Sequence, residues 1–196
     1  MKIIEMLLGD IEKDGVFAIS LVDKPAINED WVALSEEPIL LKSLDLEKRI
    51  ILGAVLVPDR KILRKDKDGS PYYIYFTADT IEKTAQDFAK KKNLSNITKD
   101  HNSNVDGVTI VETWIKTDDK LDKSNSFGMD LPIGTWFVSM KVDSDEIWND
   151  YIKTGVVKGF SIEGRFSDIE KKELSAIEDE DDIILKIKEI ISRNES

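Results

Sequence analysis

The sequence predicts an α+β fold or a closed β-barrel, because several short strand-like segments are interrupted irregularly by two helical ones. Segments rich in β-branched and aromatic residues predict strands at residues 49–57, 72–76, 108–115, 134–142 and 156–166. The first of these segments ends at Pro58, which lacks the backbone N–H that a strand needs. Strands and helices do not alternate regularly, so the pattern does not favour a parallel α/β sheet.

Two segments carry the signals of amphipathic helices. Asp79 and Glu82 have the spacing of a capping box, and apolar residues follow on one helical face. A second helix is predicted between Asp143 and Gly155, because acidic residues open it and a glycine stands where a helix commonly ends.

The chain divides into three zones. Residues 1–48 mix acids with scattered leucines and predict an N-terminal arm or leader, and residues 49–166 form the folded body. Residues 167–196 combine an acidic run with isoleucines at helical spacing. We expect that last helix to pack on the body or to offer an apolar face to a partner chain.

Composition excludes several classes of function. The 196 residues carry a net charge of −11, whereas nucleic-acid-binding proteins present a basic surface to phosphates. There is no cysteine, which excludes disulfides, thiolate catalysis and cysteine-ligated metals. No apolar stretch approaches the roughly 20 residues of a membrane span, and the N-terminus lacks a signal-peptide pattern. We therefore expect a soluble protein of a reducing compartment, with no nucleic-acid or membrane partner.

His101 is the only histidine of the chain and lies in a polar, turn-forming segment, residues 99–107. A histidine near neutral pH can take and return a proton. Such segments often carry functional side chains on a rigid scaffold, although a lone histidine is more commonly structural.

Ser161 is the candidate nucleophile. It lies in the segment Gly-Phe-Ser-Ile-Glu-Gly, residues 159–164. Flanking glycines allow the backbone to approach a substrate and to point amides at an oxyanion. The segment is not the Gly-x-Ser-x-Gly elbow of the α/β-hydrolases, because Glu163 stands where that motif requires glycine.

Taken together, these motifs resemble those of the prohead proteases of tailed phages, a family similar to the herpesvirus assemblins. The matching residues are Asp100-His101, Val111-Glu112-Thr113-Trp114, residues 131–136, Glu146-Ile147-Trp148 and residues 159–164, with a weaker match at 21–27. The resemblance spans residues 97–166. It implies a mostly antiparallel, barrel-like body with flanking helices.

The resemblance also implies a function. The protein would be a serine endopeptidase, acting without metal or cofactor inside the viral procapsid in the host cytoplasm. It would cleave scaffold and major capsid proteins, and itself, during maturation. Ser161 would be the nucleophile and His101 the general base. Whether it forms a homo-oligomer is left open.

A third group should orient the histidine. Assemblins use a second histidine, which this chain lacks, so we expect an acid. Glu112 is the first choice because it follows His101 in the next strand, within the matching Val-Glu-Thr-Trp. Asp106 and Asp100 are the alternatives, and backbone amides near Gly164 are candidate oxyanion donors.

Two other functions remain open. A calcium-binding module is one, because Asn102, Asn104, Asp106 and Gly107 match the start of an EF-hand loop. However, Thr113 stands where that loop requires glutamate. The other is a capsid-assembly protein that keeps the protease fold without its activity.

Overall fold

The computed structural model describes residues 2–10, 12–23, 42–45 and 48–170, with the backbone alone for 42–45 and 168–170. Within these residues the chain forms twelve strands. They are β1 (Ile3–Leu7), β2 (Gly15–Val22), β3 (Lys42–Asp45), β4 (Ile50–Leu56), β5 (Ile62–Lys65), β6 (Pro71–Tyr75), β7 (Ile97–Lys99), β8 (Ser103–Asn104), β9 (Val108–Ile115), β10 (Trp136–Val142), β11 (Gly159–Arg165) and β12 (Ser167–Glu170).

The strands form three separate sheets, so the predicted barrel is wrong. The strand orders are β12-β1-β6-β5, β3-β4-β10-β9 and β11-β2-β7-β8, and we call the last the site sheet. A barrel requires every strand to pair on both sides. Each of these sheets instead begins and ends on a strand with a single partner among the described residues. The pairs β1–β6 and β2–β7 are parallel, and the fold is a mixed α+β fold with few helices.

The helical segments are few and mostly short. They are α1 (Ala78–Lys90), a 3₁₀ turn (Asn93–Ser95), α2 (Lys123–Ser126) and a π-helix (Ile147–Ile152). Thr77, not the predicted Asp79, caps α1, and Asp79 instead pairs with Lys83 one turn on, at 2.5 Å. The π-helix occupies the second predicted helical segment. No helix of the described residues is long and apolar enough to cross a membrane.

The hydrophobic core joins all three sheets to α1. Phe88 of α1 packs edge-on against Trp136 of β10, with ring centroids 5.5 Å apart. Ile19 and Leu21 of β2 are completely buried beside them in the same cluster. Burial of large apolar side chains on β2 fixes this strand in the interior, at about 1.5–3 kcal/mol for each side chain.

Three strands of the predicted N-terminal arm, β1, β2 and β3, are part of these sheets. β1 pairs with β6 and β12, and β2 is an inner strand of the site sheet. Residues 1, 11, 24–41 and 46–47 of that zone lie outside the described residues, as does the predicted isoleucine-rich helix after residue 182.

Asp14 fixes the corner that precedes β2. Its Oδ2 accepts hydrogen bonds from the backbone N–H groups of Gly9 (2.9 Å) and Asp10 (3.1 Å) and from Oγ of Ser167 (2.8 Å). The backbone bond from Asp10 and the hydroxyl of Ser167 are the main groups that hold the pKa of Asp14 below its usual value. The ionised carboxylate thus joins the start of β2 to β12.

A buried lysine holds together the long connection between β9 and β10. The side chain of Lys116 is completely buried, and its Nζ donates to Oδ1 of Asn125 at 2.9 Å. The carboxylate of Asp130 lies 3.8 Å from the same nitrogen. Because a buried ammonium is costly without partners, these contacts define how the loop folds over β10.

Candidate active site

His101 lies at the corner of the β7–β8 hairpin. Asp100 and His101 have φ angles of 49° and 57°, and the N–H of Asn102 donates to the carbonyl of Lys99 at 3.0 Å. Two central residues with positive φ define a type I′ turn, whose usual occupants are asparagine and glycine. The chain places a histidine there although that backbone conformation is unfavourable for it.

The inner strand β2 holds this corner in place. The N–H of His101 donates to Oγ of Ser20, and that of Asp100 donates to the carbonyl of Leu21, both at 3.0 Å. Ser20 is completely buried and lies directly opposite Ser161 in the β2–β11 ladder. Both predicted catalytic residues are therefore attached to the same residue of one rigid strand.

Ser161 lies in β11, an edge strand of the site sheet in the described part of the chain. Its side chain is nearly buried, at 4% exposure. Directly opposite residues share a face of a sheet, as do residues two apart along one strand. Ser161, Ser20 and Glu163 consequently project from the same face.

Glu163 is the acid that contacts the histidine. Its Oε1 lies 3.3 Å from Nδ1 of His101 and also accepts a hydrogen bond from the hydroxyl of Thr98 on β7. The Glu163 side chain is 20% exposed and the imidazole 43% exposed. An acid at Nδ1 directs the other nitrogen, Nε2, towards a reaction partner.

Glu112, the predicted orienting acid, is engaged elsewhere. It lies on β9 in a different sheet, where its Oε2 accepts from Nζ of Lys123 (2.5 Å) and from Oγ of Ser139 (2.6 Å). The ammonium of Lys123 is the main cause of the lowered pKa of Glu112. Among the described contacts, none joins His101 to Glu112 or to the alternatives Asp100 and Asp106.

Sequence reasoning missed Glu163, although a signal was available. Glu163 belongs to the Gly-Phe-Ser-Ile-Glu-Gly segment and departs from the α/β-hydrolase motif, but neither observation made it a candidate for the orienting acid. In a strand, side chains alternate between faces, so a glutamate two residues after a nucleophilic serine projects beside it. Ser20 and Thr98 gave no such signal, because only the tertiary pairing of β2 with β7 and β11 brings them to the site.

Gly164 serves the packing of the strand. A β-bulge follows Glu163, and a Cβ on Gly164 would lie 2.7 Å from the carbonyl oxygen of Gly15 on β2. Such a contact is too short for any side chain. The glycine allows β11 to bend against β2, which is a structural reason for its place in the motif.

The backbone of β11 offers polar groups on its outer edge. The N–H of Ile19 bonds to Asn96 and the carbonyl of Leu21 bonds to Asp100, so both residues of β2 turn towards the β7 side. Ladder groups alternate in direction along a strand, so Ser20 bonds instead with Ser161. By the same alternation, the N–H of Ile162, next to the serine, points away from β2.

A small groove with an enclosed volume of about 20 Å³, enough for a water molecule, adjoins Ser161 between β11 and the β4–β5 connection. Its walls are mostly apolar but include two arginines. The lining residues are Val55, Leu56, Val57, Arg60, Ile62, Arg64, Phe160, Ser161 and Ile162.

Ser161 and His101 are not in contact with each other. The described residues show no hydrogen bond between Oγ of Ser161 and the imidazole of His101. Both groups are tied to Ser20, one through the strand ladder and one through a hydrogen bond. Catalytic hydrogen bonds are often loose in unliganded enzymes and tighten when substrate binds.

The calcium-binding alternative lacks its second helix. Val108–Ile115, which would have to begin the exiting helix of an EF-hand, is strand β9, as the sequence predicted. Within residues 2–10, 12–23 and 48–167, no three acidic or histidine side chains converge as metal ligands would. The segment that matched the calcium loop forms the β7–β8 hairpin and its exit.

Comparison with known proteins identifies relatives of this chain. A family model described as "Putative phage serine protease XkdF" matches residues 36–170, more than half of the chain. The uncharacterized protein YqbD of Bacillus subtilis (strain 168) is 29% identical over 164 residues. That match covers 79% of this chain and 46% of YqbD, so the chain spans less than half the length of that relative. No solved structure matches.

Proposed function

Because the chain belongs to the phage serine protease XkdF family, we propose that it is a serine endopeptidase with Ser161 as nucleophile and His101 as general base. The contact of Glu163 with Nδ1 of His101, at 3.3 Å, supports this proposal most directly. Glu163 shares its face of the site sheet with Ser161. The proposed serine, histidine and acid thus belong to one sheet, on β11 and the β7–β8 hairpin that β2 joins.

The reaction follows from these roles. Oγ of Ser161 attacks the peptide carbonyl carbon, and Nε2 of His101 takes the hydroxyl proton. Glu163 stabilises the imidazolium that forms. The imidazolium then returns the proton to the leaving amine, and an acyl-enzyme remains on Ser161. A water molecule, deprotonated by the same imidazole, hydrolyses the ester and releases the second product.

The developing oxyanion needs hydrogen-bond donors in a site with little water. The outward N–H of Ile162 is our candidate, because it follows the nucleophile directly and is not used by the β2 ladder. We prefer this N–H to the amides near Gly164 that the sequence suggested as donors, because Gly164 lies at the bulge packed against β2. Fixed backbone donors of this kind contribute on the order of 3 kcal/mol to transition-state stabilisation.

Proton transfer requires Oγ and Nε2 to come within about 3 Å of each other. The backbone of His101 is fixed by Ser20 and by the turn, so the movement falls on the side chains. The imidazole is 43% exposed and has room to rotate. Substrate that covers the groove would favour the closed arrangement.

The biological substrates proposed for this site are viral scaffold and major capsid proteins. The role would be maturation of the procapsid in the host cytoplasm, and the chain would also cleave itself. This part of the proposal depends on the resemblance to prohead proteases. The sequence on either side of residues 49–166 contains acidic and polar runs, a composition typical of segments that proteases cut.

The test is cleavage by matched variants. Wild type, Ser161→Ala and His101→Ala are incubated with the scaffold protein of the same phage, and the products are measured by mass spectrometry. Ser126→Ala, an exposed serine on α2, is the control. We expect products only from wild type and the control, and circular dichroism should show that every variant is folded. Wild-type cleavage by His101→Ala would refute the mechanism.

Self-cleavage is followed in the same samples without added substrate. Intact mass over several days should reveal shortened species in wild type and none in Ser161→Ala. Every cut should fall outside residues 49–166. Equal masses in the two samples, under conditions in which scaffold is cleaved, would remove self-processing from the proposal.

An inactive capsid-assembly protein with this fold is the alternative function. The separation of Ser161 from the imidazole in the free chain is the observation that favours it. A fluorophosphonate probe distinguishes the two, because only an activated serine reacts. Labelling that disappears in both Ser161→Ala and His101→Ala supports the protease, and labelling that is absent from a folded wild type supports the inactive protein.

A further inference from the structure

We propose that Thr98 is a positioning residue of the candidate site, which holds the carboxylate of Glu163 against the imidazole of His101; this inference rests on the proposed protease function. The hydroxyl of Thr98 donates a hydrogen bond to Oε1 of Glu163. The same oxygen lies 3.3 Å from Nδ1 of His101. One carboxylate oxygen thus contacts both a side chain of β7 and the histidine at the turn that follows it.

The contact with the imidazole alone would hold Glu163 weakly. A charge-assisted N–H···O bond is usually about 2.7–2.9 Å long, and the 3.3 Å between Oε1 and Nδ1 exceeds that length. A glutamate side chain loses much rotational freedom when it is ordered. This one keeps 20% exposure to solvent, which offers competing hydrogen bonds. A second hydrogen bond from a rigid donor therefore limits the carboxylate to its position beside the histidine.

Thr98 is suited to this role by its place in the fold. It is 7% exposed and lies on β7, which pairs with β2 on one side and with β8 on the other. Its branched Cβ restricts the rotation of the side chain. The strand therefore sets the direction of the hydroxyl, and little further ordering is needed when the hydroxyl binds the carboxylate.

The histidine and its acid are held by neighbouring residues of the site sheet. Thr98 lies opposite Ser20 in the β2–β7 ladder, and Ser20 lies opposite Ser161 in the β2–β11 ladder. Opposite residues project from the same face, so three hydroxyl groups form a row across the sheet. Ser20 accepts the backbone N–H of His101, and Thr98 donates to Glu163. The separation of imidazole and carboxylate is therefore set by two adjacent strands.

The chemical consequence concerns the tautomer of the imidazole. A neutral histidine carries one ring proton, and the hydrogen bond made by one nitrogen decides which nitrogen carries it. With the carboxylate at Nδ1, the proton resides on Nδ1 and leaves Nε2 free to act as the base. Loss of the Thr98 hydroxyl should release the carboxylate and let the proton occupy Nε2, where it prevents general-base catalysis.

The tautomer can be measured directly because His101 is the only histidine of the chain. The ring nitrogen signals of the intact chain, purified without a histidine tag, are therefore assigned without ambiguity by NMR. Spectra of the neutral imidazole are compared for wild type, Thr98→Val, Thr98→Ser and Thr84→Val. Valine keeps the branched shape and removes only the hydroxyl. Thr84 is the matched control, because its buried hydroxyl donates to the carbonyl of Thr80 within α1 at 2.7 Å.

Wild type, Thr98→Ser and Thr84→Val should show mainly the tautomer with the proton on Nδ1. Thr98→Val should shift the ratio about tenfold towards Nε2, the effect of one hydrogen bond to a charged group. In peptide cleavage, Thr98→Val should lower kcat about tenfold and leave KM unchanged, because Thr98 does not line the groove beside Ser161. Thr98→Val combined with Glu163→Gln should be no less active than Glu163→Gln alone, since Thr98 acts through Glu163.

The outcomes separate the two proposals. Predominance of the Nε2 tautomer in wild type, or an unchanged ratio in a folded Thr98→Val, overturns the positioning role. The role is also overturned if Thr98→Ser or Thr84→Val changes the ratio as much as Thr98→Val does. Failure of a folded wild type to cleave any peptide or scaffold in a Ser161-dependent manner overturns the protease proposal, while the nitrogen spectra still decide whether Thr98 holds Glu163 at the imidazole.

Discussion

Replacing His101 by glycine should remove activity and yet leave a more stable protein than replacing it by alanine. The turn holds this residue at φ 57°, and the backbone N–H that bonds to Ser20 is present in both variants. Both variants also lose the contact with Glu163, so that loss cancels in the comparison. The remaining difference is the backbone preference of glycine over alanine at positive φ.

The magnitude follows from two opposing effects. A residue with a Cβ destabilises the folded state by about 1–2 kcal/mol when its backbone is in the left-handed region. Glycine loses about 0.5–1 kcal/mol more than alanine in conformational entropy on folding. The net advantage of His101→Gly over His101→Ala is therefore about 1 kcal/mol, which is a Tm difference of about 2–4 °C for a domain of this size.

The assay is urea and thermal unfolding of the two variants, with peptide cleavage measured in parallel. Asn104, on the exposed strand β8, has no positive φ and provides a control of opposite sign. There alanine should be more stable than glycine. If His101→Ala proved as stable as His101→Gly, the corner would not have the type I′ geometry in solution, and the placement of the imidazole would be in doubt.

Three further predictions concern single side chains. Glu163→Gln should lower kcat on the order of a hundredfold or more, and Glu112→Gln far less, because Glu163 contacts the imidazole whereas Glu112 contacts Lys123; the reverse order in peptide cleavage would restore the acid predicted from the sequence. The pKa of Asp14 is lower in the folded than in the unfolded chain, so its stabilisation is present above its unfolded pKa and is lost as pH falls through the folded pKa. Urea unfolding from about pH 6 to about pH 3 should therefore show a weaker pH dependence for Asp14→Asn than for wild type, and equal slopes would contradict this. Lys116→Met should lower the free energy of unfolding by about 1–3 kcal/mol because a buried hydrogen bond is lost. The same change at the exposed Lys120 should leave the midpoint of urea unfolding unchanged. Similar midpoints for the two variants would show that the buried ammonium is dispensable.

The local parts of the fold could be predicted from the sequence. The five predicted strand segments coincide with β4, β6, β9, β10 and β11 to within a few residues at each end, and the first predicted helix is α1. In these segments, the side-chain types and the turn residues that decide between helix and strand lie within a few positions of each other. The local sequence therefore predicts the secondary structure. Boundaries shifted where a threonine, and not an aspartate, provided the cap of α1.

The arrangement of the strands could not be predicted in the same way. The parallel pairs β1–β6 and β2–β7 join strands that are distant in sequence, and no local pattern specifies such partners. The barrel was inferred from strand number and family resemblance, neither of which determines whether edges pair. The same non-local pairing brings residues of the predicted arm into the site sheet.

The residues of the candidate site were likewise predicted only in part. His101 and Ser161 were predicted from their settings and from the resemblance, and the structure attaches both to Ser20. Glu112 was chosen because it lies in a matching motif, but motif membership does not fix which sheet a residue occupies. Glu163 was within the quoted motif, and strand alternation alone would have placed it beside the serine.

The division of the molecule into separate sheets has a consequence for how the protein could change over time. Ser161, His101 and the Glu163 carboxylate that contacts His101 belong to β11 and the β7–β8 hairpin, which β2 joins into one sheet. The facing wall of the groove comes from β4, β5 and their connection, outside that sheet. In the proposed protease, the reacting groups and the opposite wall would thus be carried by different supports. Substitutions on the β4–β5 side could then reshape the groove while the contact between Glu163 and His101 stays as it is.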